Sequence, residues 1–172
     1  VILRKGSPDA EKIRTAFRAG QQYYCGLCNP YFGPFEDYPL NIEIPEDAKP
    51  GEYSAYADLL IVRGKVETIF LQSGTDNADL LQYLPTVGVL AIGTQSPTKP
   101  PSNWIVTLQP DYLAALKAAW PELAAGQGGK AFPAPLAFTD ANLDLFSVGK
   151  QRLAQKTLND LLAGLIFTNV NP

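Results

Sequence analysis

Two stretches of this sequence hold residue types whose spacing could do chemistry. "YYCGLCNPYF", residues 23–32, contains both cysteines of the chain, Cys25 and Cys28, in a C-x-x-C arrangement. That arrangement serves a redox centre, half a zinc site or an inert structural pair. "LQSGTDNA", residues 71–78, gathers Gln72, Ser73, Thr75, Asp76 and Asn77, hydrogen-bonding groups suited to ligand hydroxyls or amides. The same run also reads as helix capping by Thr75, with Asp76 favoured by the helix dipole. Thr94, Gln95 and Ser96 form a second polar set, and Trp104, just past a Pro-rich loop, either stacks on a sugar or base or starts a strand as a core aromatic. Asp76 and Asp79 are close enough for two-carboxylate glycoside chemistry, but acids in a first helical turn need no such explanation.

The 172-residue chain contains no histidine. This removes Ser-His-Asp and Cys-His nucleophilic sites, a His general base and the commonest transition-metal ligand, so binding is expected rather than catalysis. A formal charge of -3 argues against a nucleic-acid partner, which needs clustered Lys and Arg. Composition is that of a globular protein, with 46% hydrophobic and 18% charged residues, and the length suits one domain spanning residues 1–172. No apolar run reaches the roughly 20 residues of a bilayer span, so a soluble chain is expected. Because it opens on Val1 without a signal peptide, we expect a processed product or a segment of something longer.

The cysteines lack the setting of a redox motif. A thioredoxin-type pair opens a helix that follows a strand, whereas this pair follows a helix and runs into "NPYFGPF", where Pro and Gly forbid an immediate helix. Two thiols without histidine cannot complete a zinc site within one chain, so no metal is expected. A local disulfide, or two buried thiols pinning a long loop, is the expected role.

The elements that must position these residues alternate between β-rich runs and amphipathic segments, the rhythm of parallel βα units. "VILRK" reads as a buried strand. "GSPDAEKIRTAFRAG" reads as a helix capped by Ser7, with Pro8 at its first position, Gly20 as its stop, and Ile13 and Phe17 facing the sheet. After a loop from Gln21 to Pro39 come the strand "LNIEIP" and the helix "KPGEYSAYADLLIVRG", whose apolar stripe is Tyr53, Tyr56, Ala57, Leu60 and Ile61. Next come the strand "VETIFLQ", a helix within "SGTDNADLLQYLPTVG", the strand "VLAIGT", the loop "QSPTKPPSN" and the strand "WIVTLQ". A fourth helix runs from about Asp111 with Leu113, Leu116, Trp120 and Leu123 inward, and Pro121 kinks or ends it. "AAGQGGKAFPAP" is a flexible connection, followed by a strand at "DLFSV", a helix through "RLAQKTLNDLLAG" and a last strand "LIFTNV". The expected fold is a doubly wound α/β layer with a mainly parallel sheet and helices on both faces.

In such a sheet, ligands meet the loops after the carboxyl ends of the strands. Here these are "KGSPDA", "IPEDAKPG", "LQSGTDNA", "IGTQSPT" and "LQPDY". None carries the G-x-G-x-x-G or P-loop pattern, and no cofactor is implied. "LQSGT" lacks the first glycine of a nucleophile elbow, and the third strand ends in Gln72 and Ser73 where a phospho-acceptor domain needs an acid.

Together, "GSPDAEKIRTAFRAG", "YSAYADLLIVRGKVETIFLQSG", "LLQYLPTVGVLAIGTQSP" and "LNDLLAGLIFTNV" resemble, in order and pattern, one lobe of a type I periplasmic substrate-binding protein, nearest the basic membrane lipoprotein group that serves ABC importers. The resemblance implies an exported receptor, periplasmic or a cell-surface lipoprotein. In it a second lobe closes over a small polar ligand, such as a nucleoside or sugar, and the closed form engages a membrane permease. By position it implies Ser7 and Asp9, then Ser73, Thr75 and Asp76, and then Thr94, Gln95 and Ser96 as cleft-facing. This chain has room for one lobe, so half of the cleft would lie outside it and strong affinity is not expected of it alone. Two other classes stay open: thiol–disulfide exchange through Cys25 and Cys28, and a flavodoxin-like enzyme domain.

Overall fold

The computed structural model describes residues 1–25, 39–132 and 134–170. In chain order the elements are β1 (Ile2–Arg4), α1 (Ala10–Cys25), β2 (Ile42–Ile44), α2 (Tyr53–Asp58), β3 (Thr68–Leu71), α3 (Ala78–Thr86), β4 (Leu90–Gly93), β5 (Trp104–Pro110), α4 (Tyr112–Ala124), β6 (Leu136–Thr139) and α5 (Val148–Leu162). A 3-10 turn at Pro50–Glu52 leads into α2, and a π-helical segment at Leu59–Arg63 continues it. The six strands form one sheet in the order β2-β1-β3-β4-β5-β6. All neighbours are parallel except β5 and β6, which pair antiparallel. The expected α/β class and mainly parallel sheet are therefore present.

Strand alternation divides the apolar residues between two faces. Ile2, Ile44, Ile69, Leu71 and Ala91 point to the side where Ala57 and Leu60 of the α2 region and Leu80 and Leu84 of α3 complete a core. Their neighbours Leu3 and Phe70 point to the other side, where Val1, Ala10 and Ile13 pack, and Phe17 of α1 meets the Phe70 ring edge-on at 4.9 Å. Helices thus cover both faces, and fully burying each large aliphatic side chain contributes about 1.5–3 kcal/mol. The expected stripe of α2 is in place, with Tyr53, Tyr56 and Ile61 packed at the core margin.

Trp104 joins the first core, almost fully buried. Its indole N–H donates to Thr107 Oγ1 at 3.0 Å, and that hydroxyl donates to Asp140 Oδ2 at 2.9 Å. The ring lies across Gly93, where an added Cβ would stand 2.4 Å from Cη2. Glycine at that strand end makes room for the indole.

Several expectations are corrected. The first helix starts at Ala10 and runs past Gly20 to Cys25. Gly20 costs a helix about 1 kcal/mol relative to Ala, too little to end one held against the sheet by Ile13 and Phe17. The chain at residues 141–147 turns rather than forming the strand expected at "DLFSV". Asn142 accepts from the Asp144 N–H at 3.1 Å, and the Phe146 N–H returns to the Asn142 carbonyl at 2.7 Å. The edge strand is β6, unforeseen because "LAFT" is short and follows a Gly- and Pro-rich run. "LIFTNV" forms no strand, and Leu165 and Phe167 are exposed. Pro121 lies inside α4, which continues to Ala124, and Leu113, Leu116, Trp120 and Leu123 face solvent rather than the interior. The inward side of α4 is made of alanines, with Ala119 buried and Ala114 and Ala115 half-buried.

Candidate functional site

The chain leaves β1 toward β2 on one side and β3 toward β4 on the other, so the loops after β1 and β3 diverge at a topological switch point. Here the divergence is stitched shut. The Gln72 carboxamide accepts the Arg4 N–H at 2.9 Å and donates to Ser7 Oγ at 2.7 Å. Ser7 Oγ also accepts the Asp9 N–H at 3.3 Å, so Ser7 shapes the turn before α1 instead of capping the helix from its expected position. Gln72 and Ser7 spend their polar atoms on each other and on backbone.

The loop after β3 is set by its own chemistry. Gly74 adopts a positive φ of 84, the region that favours glycine. Thr75 is completely buried, and its hydroxyl donates to the Gln72 carbonyl at 2.7 Å, closing the turn. The cap of α3 is Asn77, whose Oδ1 accepts the Leu80 N–H at 2.8 Å, while its Nδ2 donates to the Pro50 carbonyl at 3.2 Å. Thr75 therefore serves the turn rather than the helix cap expected of it. Asp76 accepts the Gly74 N–H at 3.1 Å and keeps a carboxylate face toward the space beside α3.

That space is an open groove of about 630 Å³. One wall is Asp76 with Ala78, Leu81, Gln82 and Pro85 of α3, and the other is the loop from Gln95 to Ser102. Ser73 Oγ donates to Gln95 Oε1 at 3.2 Å, linking the ends of β3 and β4 at its rim. The volume falls within the range of small-molecule sites, about 300–1,000 Å³. Its walls mix proline rings and Leu81 with amide, hydroxyl, carboxylate and ammonium groups, a lining suited to a partly polar ligand with an apolar face. Thr94, just after β4, does not line the groove, and its buried Oγ1 has no hydrogen-bond partner among the described residues.

Of the expected residues, Asp76, Gln95 and Ser96 line the groove, and Ser73 stands beside it through Gln95. Gln72, Thr75 and Trp104 are buried within the fold, and the Trp104 ring is taken up by the core rather than offered for stacking. Ser7 and Asp9 sit at the end of β1, outside the groove. A smaller depression there is lined by Lys5, Gly6, Pro45, Glu46 and Asp47. The disulfide expected between Cys25 and Cys28 falls outside the described residues; of the pair, only the Cys25 backbone is described, at the carboxyl end of α1.

Gln82, Lys99 and the prolines at 97, 100 and 101 were not anticipated as lining. The run "QSPTKPPSN" carried a signal, because prolines that hold a loop extended along a helix give a wall of fixed shape, and Lys99 is its one charge.

Two side chains away from the groove have shifted proton affinities. The Tyr83 phenol is held above its ordinary value by its hydrogen bond to Asp58, assisted by burial and by the Asp58 charge. For Arg14, burial opposes the charge, but hydrogen bonds and attraction to Glu43 and Glu11 outweigh it and raise the pKa. These contacts join α2 to α3 and α1 to β2, and they are structural. Comparison with known proteins finds no matching family, no similar curated protein and no similar solved structure.

Proposed function

We propose that this chain is a noncovalent recognition lobe for a small polar solute of the nucleoside or sugar class. The supporting observation is the groove between α3 and the 95–102 loop, which begins with Asp76, Gln95 and Ser96 at the carboxyl ends of β3 and β4, where open α/β sheets bind ligands, and runs along α3 to Pro85 and Ser102. Its polar groups are Asp76, Gln82, Gln95, Ser96, Thr98, Lys99 and Ser102, donors and acceptors for hydroxyls and amides. Asp76 accepts ligand hydroxyls, Gln95 and Ser96 hydrogen-bond an amide or ribose edge, and the apolar strip of Leu81 and Pro85 carries the flat side of the ligand. A groove open on one side suits closure by a second lobe. With the resemblance in sequence pattern, this favours one half of an exported ABC-import receptor whose closed form meets a permease.

The thiol-exchange alternative is weaker. The α1 backbone carries Cys25 to a helix carboxyl end, where the dipole disfavours a thiolate. A flavodoxin-like site would use the β1/β3 switch point, and there the polar atoms of Gln72 and Ser7 are already bonded to each other. Calorimetry with a nucleoside and sugar panel tests the proposal. Asp76→Ala and Gln95→Ala should each weaken the best ligand by about 3- to 30-fold, the worth of one or two hydrogen bonds. Unchanged affinity in both variants would refute the assignment.

A further inference from the structure

We propose that α4 is a self-association surface, through which two copies of this chain pair antiparallel across a two-fold axis. Along it Tyr112, Leu113, Leu116, Trp120 and Leu123 are 72%, 60%, 50%, 62% and 45% exposed. The usual pattern of a surface helix is inverted, since alanines face the domain and the large apolar residues face outward. The stripe is free of charge: Asp111 is spent capping the Ala114 N–H at 2.8 Å, and Glu122 is paired with Lys130 at 2.8 Å. Only Lys117 borders it from within the helix.

The spacing decides the occupant. Leu113, Leu116, Trp120 and Leu123 recur at the three-four-three interval of a helix-packing seam. That interval reads the same in both directions. A two-fold axis midway between Leu116 and Trp120 therefore sets Leu113 against Leu123 of the other copy, and Leu116 against Trp120, with every knob meeting an apolar partner. Such self-complementarity is what an isologous interface requires. The area is also sufficient. Each aromatic offers roughly 100–180 Å² of its surface, and with the three leucines two copies cover on the order of 1,000 Å², the threshold for a specific interface. Trp and Tyr are the side chains that most often dominate such contacts.

The inference is independent of the solute reading, because α4 contributes no residue to the groove. Sedimentation of the 172-residue chain from low to high micromolar concentration should show a monomer–dimer equilibrium. On dilution tryptophan emission should shift to the red, because Trp120 becomes exposed while Trp104 stays in the core. Leu116→Glu and Trp120→Lys, both at exposed positions, should keep the circular dichroism of the parent and each weaken dimerisation by at least about 30-fold. Mixing the two variants should restore a heterodimer, since the new Glu then faces the new Lys while the remaining Trp120 meets the remaining Leu116. A chain monomeric at every concentration, a dimer indifferent to both substitutions, or a mixture that stays unpaired would each overturn the proposal. Capture of an unrelated protein by a monomeric chain counts against it in the same way.

Discussion

Gly93→Ala should destabilise this protein through a single contact. The added Cβ would lie 2.4 Å from Cη2 and 2.7 Å from Cζ2 of Trp104. Carbon pairs prefer roughly 3.5–4.0 Å, so the ring or the strand must move. Neither moves freely, because the indole is buried in the first core and its N–H is held by Thr107. Overpacking of this kind costs about 1–3 kcal/mol. If the indole N–H loses Thr107, about 1–3 kcal/mol more is lost, while the stiffer unfolded chain returns about 0.5–1 kcal/mol. The net expectation is a loss of about 1–5 kcal/mol, or roughly 2–20 °C in Tm for a domain of this size. Near-UV circular dichroism during a thermal melt reads both the stability and the indole environment. Combining Gly93→Ala with Trp104→Phe should cost less than the sum of the single changes by at least about 1 kcal/mol, since the smaller ring relieves the contact. A Gly93→Ala variant as stable as the parent would show that this approach of ring and backbone does not constrain the strand.

Three further outcomes follow from the hydrogen bonds. Gln72→Leu strands the Arg4 N–H and removes the side-chain donor to Ser7 Oγ at the β1/β3 junction and should cost about 1–3 kcal/mol in urea unfolding, with Ser7→Ala costing less. Asn77→Ala removes the α3 cap and should cost about 1 kcal/mol, whereas Asn77→Gly should cost only a few tenths, as read from chemical-denaturation midpoints. The raised Tyr83 pKa means that the fold holds the phenol proton more tightly than the unfolded chain. Its contribution is complete below pH about 10 and is lost as pH rises through the folded value, so Tyr83→Phe should flatten the alkaline arm of a stability–pH profile.

The five parallel strands were legible because they are short apolar runs bounded by Gly, Pro and polar residues, and α2 because its stripe repeats at helical spacing; the antiparallel edge strand β6 was not. Ile2, Ile69 and Leu71 advertise burial by type alone. The helix ends were less legible. Ser7 and Thr75 are good caps by type, but other partners took both hydroxyls: the Gln72 side chain engaged Ser7 from the neighbouring strand end, and the Gln72 carbonyl, three residues back, engaged Thr75 within its own turn. α4 misled for a different reason. Its leucines and Trp120 follow the period of a buried face, and the sequence alone cannot say whether such a face meets its own domain or something else. Of the groove, one end of each wall was readable in "LQSGTDNA" and "GTQSP", but only as polar strand ends. The prolines of "QSPTKPPSN" announce a stiff loop, but its lying along α3, with Lys99 in the lining, depends on tertiary placement.

We propose that the groove beside α3 holds a small polar solute. This proposal is tested most directly by following backbone amide resonances of the chain during titration with nucleosides and sugars to millimolar concentration. At least one compound should shift the amides of Asp76, Gln82, Gln95, Ser96, Thr98, Lys99 and Ser102 in a saturable way, and Asp76→Ala should weaken that response with the rest of the spectrum intact. No saturable shift for any compound, or shifts centred elsewhere on the molecule and indifferent to Asp76→Ala, would contradict the claim.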